Sequence, residues 1–326
     1  MSEETAINDI ATVLDKVGQL EQEIGRAVIG QKQVIRDTVA ALLAGGHVLV
    51  EGVPGLGKTL LVRSLAAGVG GVFNRVQFTP DLMPGDISGH IMFDMKSESF
   101  RVRKGPVFCN FLLADEINRA PAKTQSAMLE VMQEQQVTIE GQSFQLKLPF
   151  LVLATQNPIE QEGTYPLPQA QLDRFLLKVF IDFPSEEEEN RMIAQVTNKH
   201  VGDRLDVTAV RQVLQPQEIA ALQHYTAQLV MDEQIIAYAV RIARTTREWN
   251  GIENGCGPRG GISLLRAARA NAVLEGRDFV TPDDIKSMAL PALRHRIKLS
   301  ADLEIEGYTP DDVLGDILLN VQAPRL

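Results

Sequence analysis

The stretch "LVEGVPGLGKTLLVRSL", residues 49–65, constrains the fold of this chain more than any other. Apolar strand-forming residues run into three glycines, then into Lys58 and Thr59, then into a leucine-rich helical pattern. Gly52, Gly57, Lys58 and Thr59 satisfy G-x-x-x-x-G-K-[ST], the spacing of a phosphate-binding loop. Glycine lets successive amides turn inward without a side-chain clash, and the helix that follows adds its positive end. Lys58 is then placed to reach β- and γ-phosphates, and Thr59 to ligate magnesium. The loop residues expected to contact the nucleotide are Gly52, Val53, Pro54, Gly55, Leu56, Gly57, Lys58, Thr59 and Leu60. A strand that feeds such a loop and a helix that leaves it form one unit of a parallel α/β fold.

The rest of the sheet is foreshadowed by short apolar runs at 48–50, 76–78, 111–114, 150–154 and 175–183. They barely alternate with polar residues, the pattern of strands covered on both faces by helices. Helical patterns at 58–67 and 123–133 lie between some of them. After "IDFPSEEEEN" the texture changes to long helical stretches such as "EQIIAYAVRIARTTREW", with apolar residues every three or four positions. The expected division is an α/β domain at 1–185 and a helical domain at 186–326. Within the second, "TPDDI" reads as a capping box, with Thr281 as the cap and Asp284 reaching back.

Composition narrows the class of function. The chain carries 32 Lys and Arg against 42 Asp and Glu, a net charge of −10. An acidic surface repels phosphate backbones, so nucleic acid is not the expected partner. Cys109 and Cys256 are far apart and the five histidines show no ligand spacing, which predicts neither a disulfide framework nor a zinc site. Glu3 and Glu4 stand where a secretory signal would be basic, and no apolar run reaches membrane-spanning length. The expectation is a cytoplasmic protein without membrane insertion.

Two further apolar runs end in residues suited to chemistry on a phosphate. "FLLADEIN" closes on Asp115 and Glu116, adjacent carboxylates that point in different directions from a strand end. Asp115 suits magnesium, and Glu116 suits a proton acceptor for the attacking water. "FLVLATQNP" ends at Asn157, whose amide either orients that water or starts a turn. Arg174 in "QLDRF" is either a surface residue or a group that stabilises transition-state charge in a neighbouring subunit.

Together, "GVPGLGKT", "LLADEINRAP", "ATQNP" and "TYPLPQAQLDRF" resemble the MoxR family of AAA+ ATPases. "FTPDLMPGDISG" ahead of "DEINRAPAKTQSAMLEVMQE" is similar to that family in particular, and the resemblance runs from "VIGQKQVI" to "GRDFVTPDDI". It implies a P-loop AAA+ core with a parallel sheet between helices, followed by a small all-α helical lid. It also implies a homo-oligomeric ring, usually a hexamer, that hydrolyses ATP to ADP and phosphate with Mg2+ at its subunit junctions. By the same resemblance Asn157 is the sensor that positions water, and Arg174 is the finger supplied to the neighbour. Arg259 in "GCGPRGG" is the second sensor on the lid, and Ile29, Gly30 and Gln31 lie near the adenine. The family commonly carries Ala and Ser before that Pro-Arg, where this chain has Cys256 and Gly257.

The function implied is a chaperone-like ATPase that remodels, matures or activates protein complexes, often beside partners bearing a von Willebrand factor A domain. The competing class is a nucleic-acid-translocating AAA+ motor. A hairpin insert near 91–104 serves either reading, because Phe100, Arg101, Arg103 and Lys104 either touch what the ring acts upon or are solvated charges. A second hairpin is expected at 137–148 around Gly141. "LRHRIK" at 293–298 reads as the polar face of a helix end, with a basic contact patch as the alternative.

Overall fold

A computed structural model describes residues 10–53, 55–96, 98–157, 163–197 and 207–324. Pro54 of the glycine loop and Ser97 of the first hairpin turn lie outside the described residues. The centre of the molecule is a five-stranded parallel sheet. We number its strands β1 (Val48–Glu51), β2 (Phe73–Gln77), β3 (Phe111–Asp115), β4 (Leu151–Gln156) and β5 (Leu177–Phe180). Their order is β2-β3-β4-β1-β5, so β1 pairs with β4 on one side and β5 on the other.

Side-chain alternation along the strands divides the core in two. Val48 and Val50, Phe111 and Leu113, and Leu151 and Leu153 face one apolar cluster. Leu49, Leu112, Ala114, Val152 and Ala154 face the other. Burying one such side chain stabilises by roughly 1.5–3 kcal/mol, whereas an exposed ion pair contributes about 0–1 kcal/mol. The apolar strand positions therefore set the register. The two-faced burial expected of every run holds for β1, β3 and β4 but not for the edge strands β2, where Val76 alone is buried, and β5, where only Leu177 and Val179 are. As an edge strand, β2 has a neighbour on one side only, and it begins at Phe73, ahead of the apolar run.

Helices Ile10–Ala27, Lys32–Leu43 and Lys58–Val69 contribute to the first cluster, and helix Ala122–Glu134 to the second. His47 ties these layers together. Its Nδ1 accepts from the Val152 amide at 3.1 Å, and its Nε2 lies 2.9 Å from the Met132 carbonyl. That pair of partners makes it a neutral imidazole with the proton on Nε2, and burial pushes its pKa down to about 4.

Beyond residue 207 the chain is helical: Pro216–Gln228, Glu233–Glu248, Pro258–Leu274, Pro282–Leu293, Ala301–Ile305 and Pro310–Asn320. A short antiparallel pairing of Ile252–Asn254 with Lys298–Leu299, which helical periodicity does not signal, joins them. The capping box at Thr281 forms, with its side chain accepting from the Asp284 amide and Asp284 accepting from the Thr281 amide at 2.8 Å. Thr309 and Asp312 repeat it. The first cluster runs without a break from Val17 through β1 to Ile317, so the lid shares its core with the sheet.

Two hairpins pack on the second cluster, the first through Ile91 and Val102 and the second through Val137, Ile139 and Phe144. Gly89–Asp94 pairs with Ser99–Lys104, and Gln136–Ile139 with Gln142–Gln145. Among the described residues no helix is long and apolar enough to cross a membrane.

Candidate active site

The loop after β1 owes its path to two glycines. A Cβ on Gly52 would lie 2.5 Å from the Ile181 carbonyl oxygen, so only glycine fits against the chain leaving β5. Gly57, at φ 81, opens helix Lys58–Val69 from the left-handed region, where a side chain is strained. No side chain caps that helix, which leaves its first amides for an anion. Lys58 Nζ donates to the Gly52 carbonyl. Burial lowers the Lys58 pKa below its ordinary value, against the opposing carboxylates of Asp115, Glu116 and Glu51.

Across from the loop is a cavity of about 320 Å³ at the carboxyl ends of the strands. Gly55, Gly57, Lys58, Thr59 and Leu60 line one side of it. Asp115, Glu116 and Asn157 line the other, with Arg75, Gln77 and Thr155 between. Open parallel sheets bind ligands at this end. Five residues singled out from separate motifs, Lys58, Thr59, Asp115, Glu116 and Asn157, thus share one cavity.

The two carboxylates are held by residues that the motifs did not disclose. Asp115 Oδ1 accepts from Thr155 Oγ1 at 2.6 Å, and that same hydroxyl oxygen accepts from the Glu116 amide at 2.8 Å. Asp115 Oδ2 accepts from Arg75 Nη2 at 2.6 Å and Nε at 3.1 Å. Glu116 Oε2 accepts from Gln77 Nε2 at 2.6 Å and lies 3.2 Å from Arg119 Nε. Glu116 itself sits at φ 56, a left-handed conformation that costs a residue with a side chain about 1–3 kcal/mol. The two carboxylates thus have separate partners, Arg75 and Thr155 for Asp115 and Gln77 and Arg119 for Glu116. The available signal was the i, i+2 spacing of Arg75 and Gln77, which puts both on one face of β2, with Gln77 beside Asp115 in register.

The donor set suits a nucleotide and a hard cation. Glycine-loop amides and an ammonium match phosphate oxygens, and a hydroxyl with a carboxylate, Thr59 and Asp115, matches magnesium. Among the described residues no group of three or more His, Cys, Asp or Glu could hold a metal, so further ligands would have to come from phosphate and water. An ion approaching Asp115 also meets the resident Arg75 guanidinium.

Other candidates lie elsewhere. Arg174 lines a separate cavity of about 550 Å³ with Glu130, Glu134 and Gln171. Its Nη1 donates to the Leu129 carbonyl at 3.2 Å, while its buried Nε has no acceptor. Arg259 is exposed in the first turn of helix Pro258–Leu274, 3.9 Å from Asp173 Oδ2. Ile29, Gly30 and Gln31 form the connection between the first two helices, and Gln31 Nε2 donates to the Asp182 carbonyl at 2.8 Å. Ile181, next to Asp182, donates to the Glu51 carbonyl, so this connection flanks the start of the glycine loop. Leu56 and Leu60 pack against the first core cluster, and Val53 is half-buried.

On the first hairpin, Arg101 pairs with Asp94 at 3.2 Å and Lys104 lies 4.8 Å from the centre of the Phe108 ring. Met92, Phe93, Met95 and Phe100 are exposed there. "LRHRIK" is not a solvated helix face. His295 and Arg296 are buried, and Arg294 pairs with Asp311 at 2.9 Å.

Comparison with known proteins bears on the fold and the family. Residues 47–177 match the ATPase family associated with various cellular activities (AAA), and residues 244–317 match the AAA lid domain. Chaperone MoxR1 of Mycobacterium tuberculosis is 43% identical over 93% of this chain and 81% of its own length. YeaC of Bacillus subtilis, a protein without a described function, is 42% identical over 94% of this chain and 95% of its own. A crystal structure from Cytophaga hutchinsonii, assigned as an ATPase, superposes with a TM-score of 0.89 at 40% identity, covering 96% of both chains. With a parallel sheet, a glycine loop facing two carboxylates and a helical lid, the chain belongs to the MoxR family of AAA+ ATPases.

Proposed function

We propose that this protein hydrolyses ATP with Mg2+ at the junctions of a homo-oligomeric ring, a hexamer by family analogy, and uses the cycle to remodel protein complexes. The observation that carries this reading is the meeting of Lys58, Thr59, Asp115, Glu116 and Asn157 around one cavity. When bound, the nucleotide supplies the phosphoryl group and magnesium offsets its charge. Residues Gly52 to Leu60 cradle the phosphates, Lys58 neutralises them, and Thr59 with Asp115 holds the metal. Glu116 takes the proton of the attacking water, and Asn157 orients that water. Ile29, Gly30 and Gln31 flank the base.

Arg174 lies outside its own chain's cavity, which supports a role at the site of the next copy. Arg259, on the lid, reads the nucleotide and moves the lid with it. The exposed apolar tip of the first hairpin suits contact with a protein client, and Arg101 and Lys104, two of its four Lys and Arg residues, are engaged locally. A partner with a von Willebrand factor A domain and a cytoplasmic location complete the proposal, as does a division of the chain near residue 185.

The test uses full-length protein and its Glu116→Gln variant. Wild type is expected to release phosphate from ATP, and the variant to bind ATP comparably while releasing phosphate at least about a hundredfold more slowly. Absence of turnover in both would sink the hydrolytic reading. Affinity capture from source cells with the variant then tests the target. A specific protein complex supports remodelling, and nuclease-sensitive material without one overturns it.

A further inference from the structure

The lid and the sheet meet around one carboxylate, Asp173, which immediately precedes Arg174 in the chain. Arg296, only 3% exposed, donates from Nε to Asp173 Oδ1 at 2.7 Å. Its Nη2 donates to the carbonyls of Asp173 at 3.2 Å and Phe175 at 2.6 Å, and its Nη1 to that of Leu176 at 3.1 Å. Three backbone acceptors thus bracket Arg174. The remaining contacts of the same guanidinium go to the lid, to Ser263 Oγ at 3.0 Å and to the Ala292 carbonyl. His295 reinforces the joint, with Nε2 at 3.1 Å from the Phe175 carbonyl.

The Arg174 side chain is held far less firmly, through one 3.2 Å bond from Nη1. What fixes its position is the backbone in the grip of Arg296. A guanidinium is a rigid planar fork, so a shift of the lid passes to the acceptors it holds. Asp173 has a second cation beside it: Arg259 Nη1, at 3.9 Å from Oδ2, on the lid helix that also carries Ser263. One carboxylate is therefore shared between a buried arginine that grips the arm of Arg174 and an exposed arginine that is free to leave.

We infer that Asp173 and Arg296 are positioning residues that couple the lid to Arg174, so that the state of a subunit's lid sets how Arg174 is presented to the next subunit. The inference rests on the proposed action of Arg174 in trans. Departure of Arg259 from Asp173 removes one of its two cations and shifts the lid helix, and the Arg296 fork carries that shift to the backbone at residues 173–176. The defect of a broken coupling then lies in the neighbour's site, not in the subunit's own.

That location is what the experiment reads. Full-length Arg296→Lys is expected to bind a fluorescent ATP analogue within about twofold of wild type, yet to lose about tenfold or more in turnover, the scale of a misplaced catalytic group. Mixed with excess Glu116→Gln, whose Arg174 is intact and whose own site is inactive, Arg296→Lys subunits should regain turnover. A structural fault within the variant's own site would not be rescued this way. Should Arg296→Lys fail to fold, Asp173→Asn carries the same test, because it removes only a charge and leaves the carbonyl acceptors in place.

Wild-type turnover in the variant, or no recovery on mixing, overturns the inference. An Arg174→Ala control separates the two levels. Lost turnover there beside retained turnover in Arg296→Lys refutes the coupling alone, whereas retained turnover in Arg174→Ala refutes action in trans and the coupling with it.

Discussion

Gln77, at the end of the edge strand β2, donates a 2.6 Å hydrogen bond to the carboxylate of Glu116 on the neighbouring strand's exit. The bond crosses from one strand end to the next, so it fixes the direction of a carboxylate whose own backbone is strained. Gln77→Ala is expected to lower kcat about tenfold while ATP affinity stays within about twofold, because only orientation is lost. Phosphate release and nucleotide titration measure the two separately. An equal fall in both would assign Gln77 to binding instead.

Gly52→Ala tests the joint between the glycine loop and β5. The added methyl group would stand 2.5 Å from the Ile181 carbonyl, a backbone atom that cannot swing aside. Either β5 shifts or the loop does, and the expected result is loss of ATP binding with a melting temperature lowered by several degrees, about 1–3 kcal/mol of overpacking. Unchanged affinity would show that the loop tolerates displacement.

His47 makes stability depend on pH. Its folded pKa of about 4 lies below its ordinary 6.5, so below 6.5 the unfolded chain binds a proton that the folded chain refuses. The contribution is complete above pH 6.5 and is lost as pH falls toward 4, a span worth about 3 kcal/mol. His47→Gln should flatten this acid limb in urea unfolding followed across pH, at the cost of lower stability at pH 7 from the disturbed bonds to Val152 and Met132.

Asp37 acts in the opposite sense. Burial raises its pKa to about 6, against a hydrogen bond from Gln33 and the charges of Arg294 and Arg36. Stability from this group is present below 3.8 and lost as pH rises through 6. Asp37→Asn, which keeps an acceptor for Gln33 Nε2, should therefore raise the melting temperature at pH 7 and leave it unchanged near pH 3.5. Equal melting curves at pH 7 would mean that the buried carboxyl is not uncomfortable as an anion.

Much of the site was legible because its signals are local. The glycine spacing, Asp115 and Glu116 at the end of one apolar run, and Asn157 at the end of another each concern consecutive residues on one strand or turn. Arg75, Gln77 and Thr155 were not legible as partners of the carboxylates. Each is an ordinary polar residue until parallel pairing brings strand ends nearly 40 positions apart into hydrogen-bond range. The reading of "LRHRIK" as a solvated face failed for the same reason. Nothing nearby in the chain announces that the Asp173 carboxylate and the carbonyls of Asp173, Phe175 and Leu176, more than 100 positions earlier, wait for Arg296.

By itself the sequence determined the strand, loop and helix around Gly52 to Leu60, the parallel character of the sheet and the helical nature of the lid. These depend on backbone conformation and on apolar periodicity, which neighbouring residues decide. Only the tertiary structure decided which polar side chains hold Asp115 and Glu116, that Arg174 lies away from its own chain's cavity, and that a buried arginine joins the lid to the arm of Arg174. Those outcomes rest on contacts between distant segments, whose energy exists only once the sheet has closed and water has been excluded from between its layers.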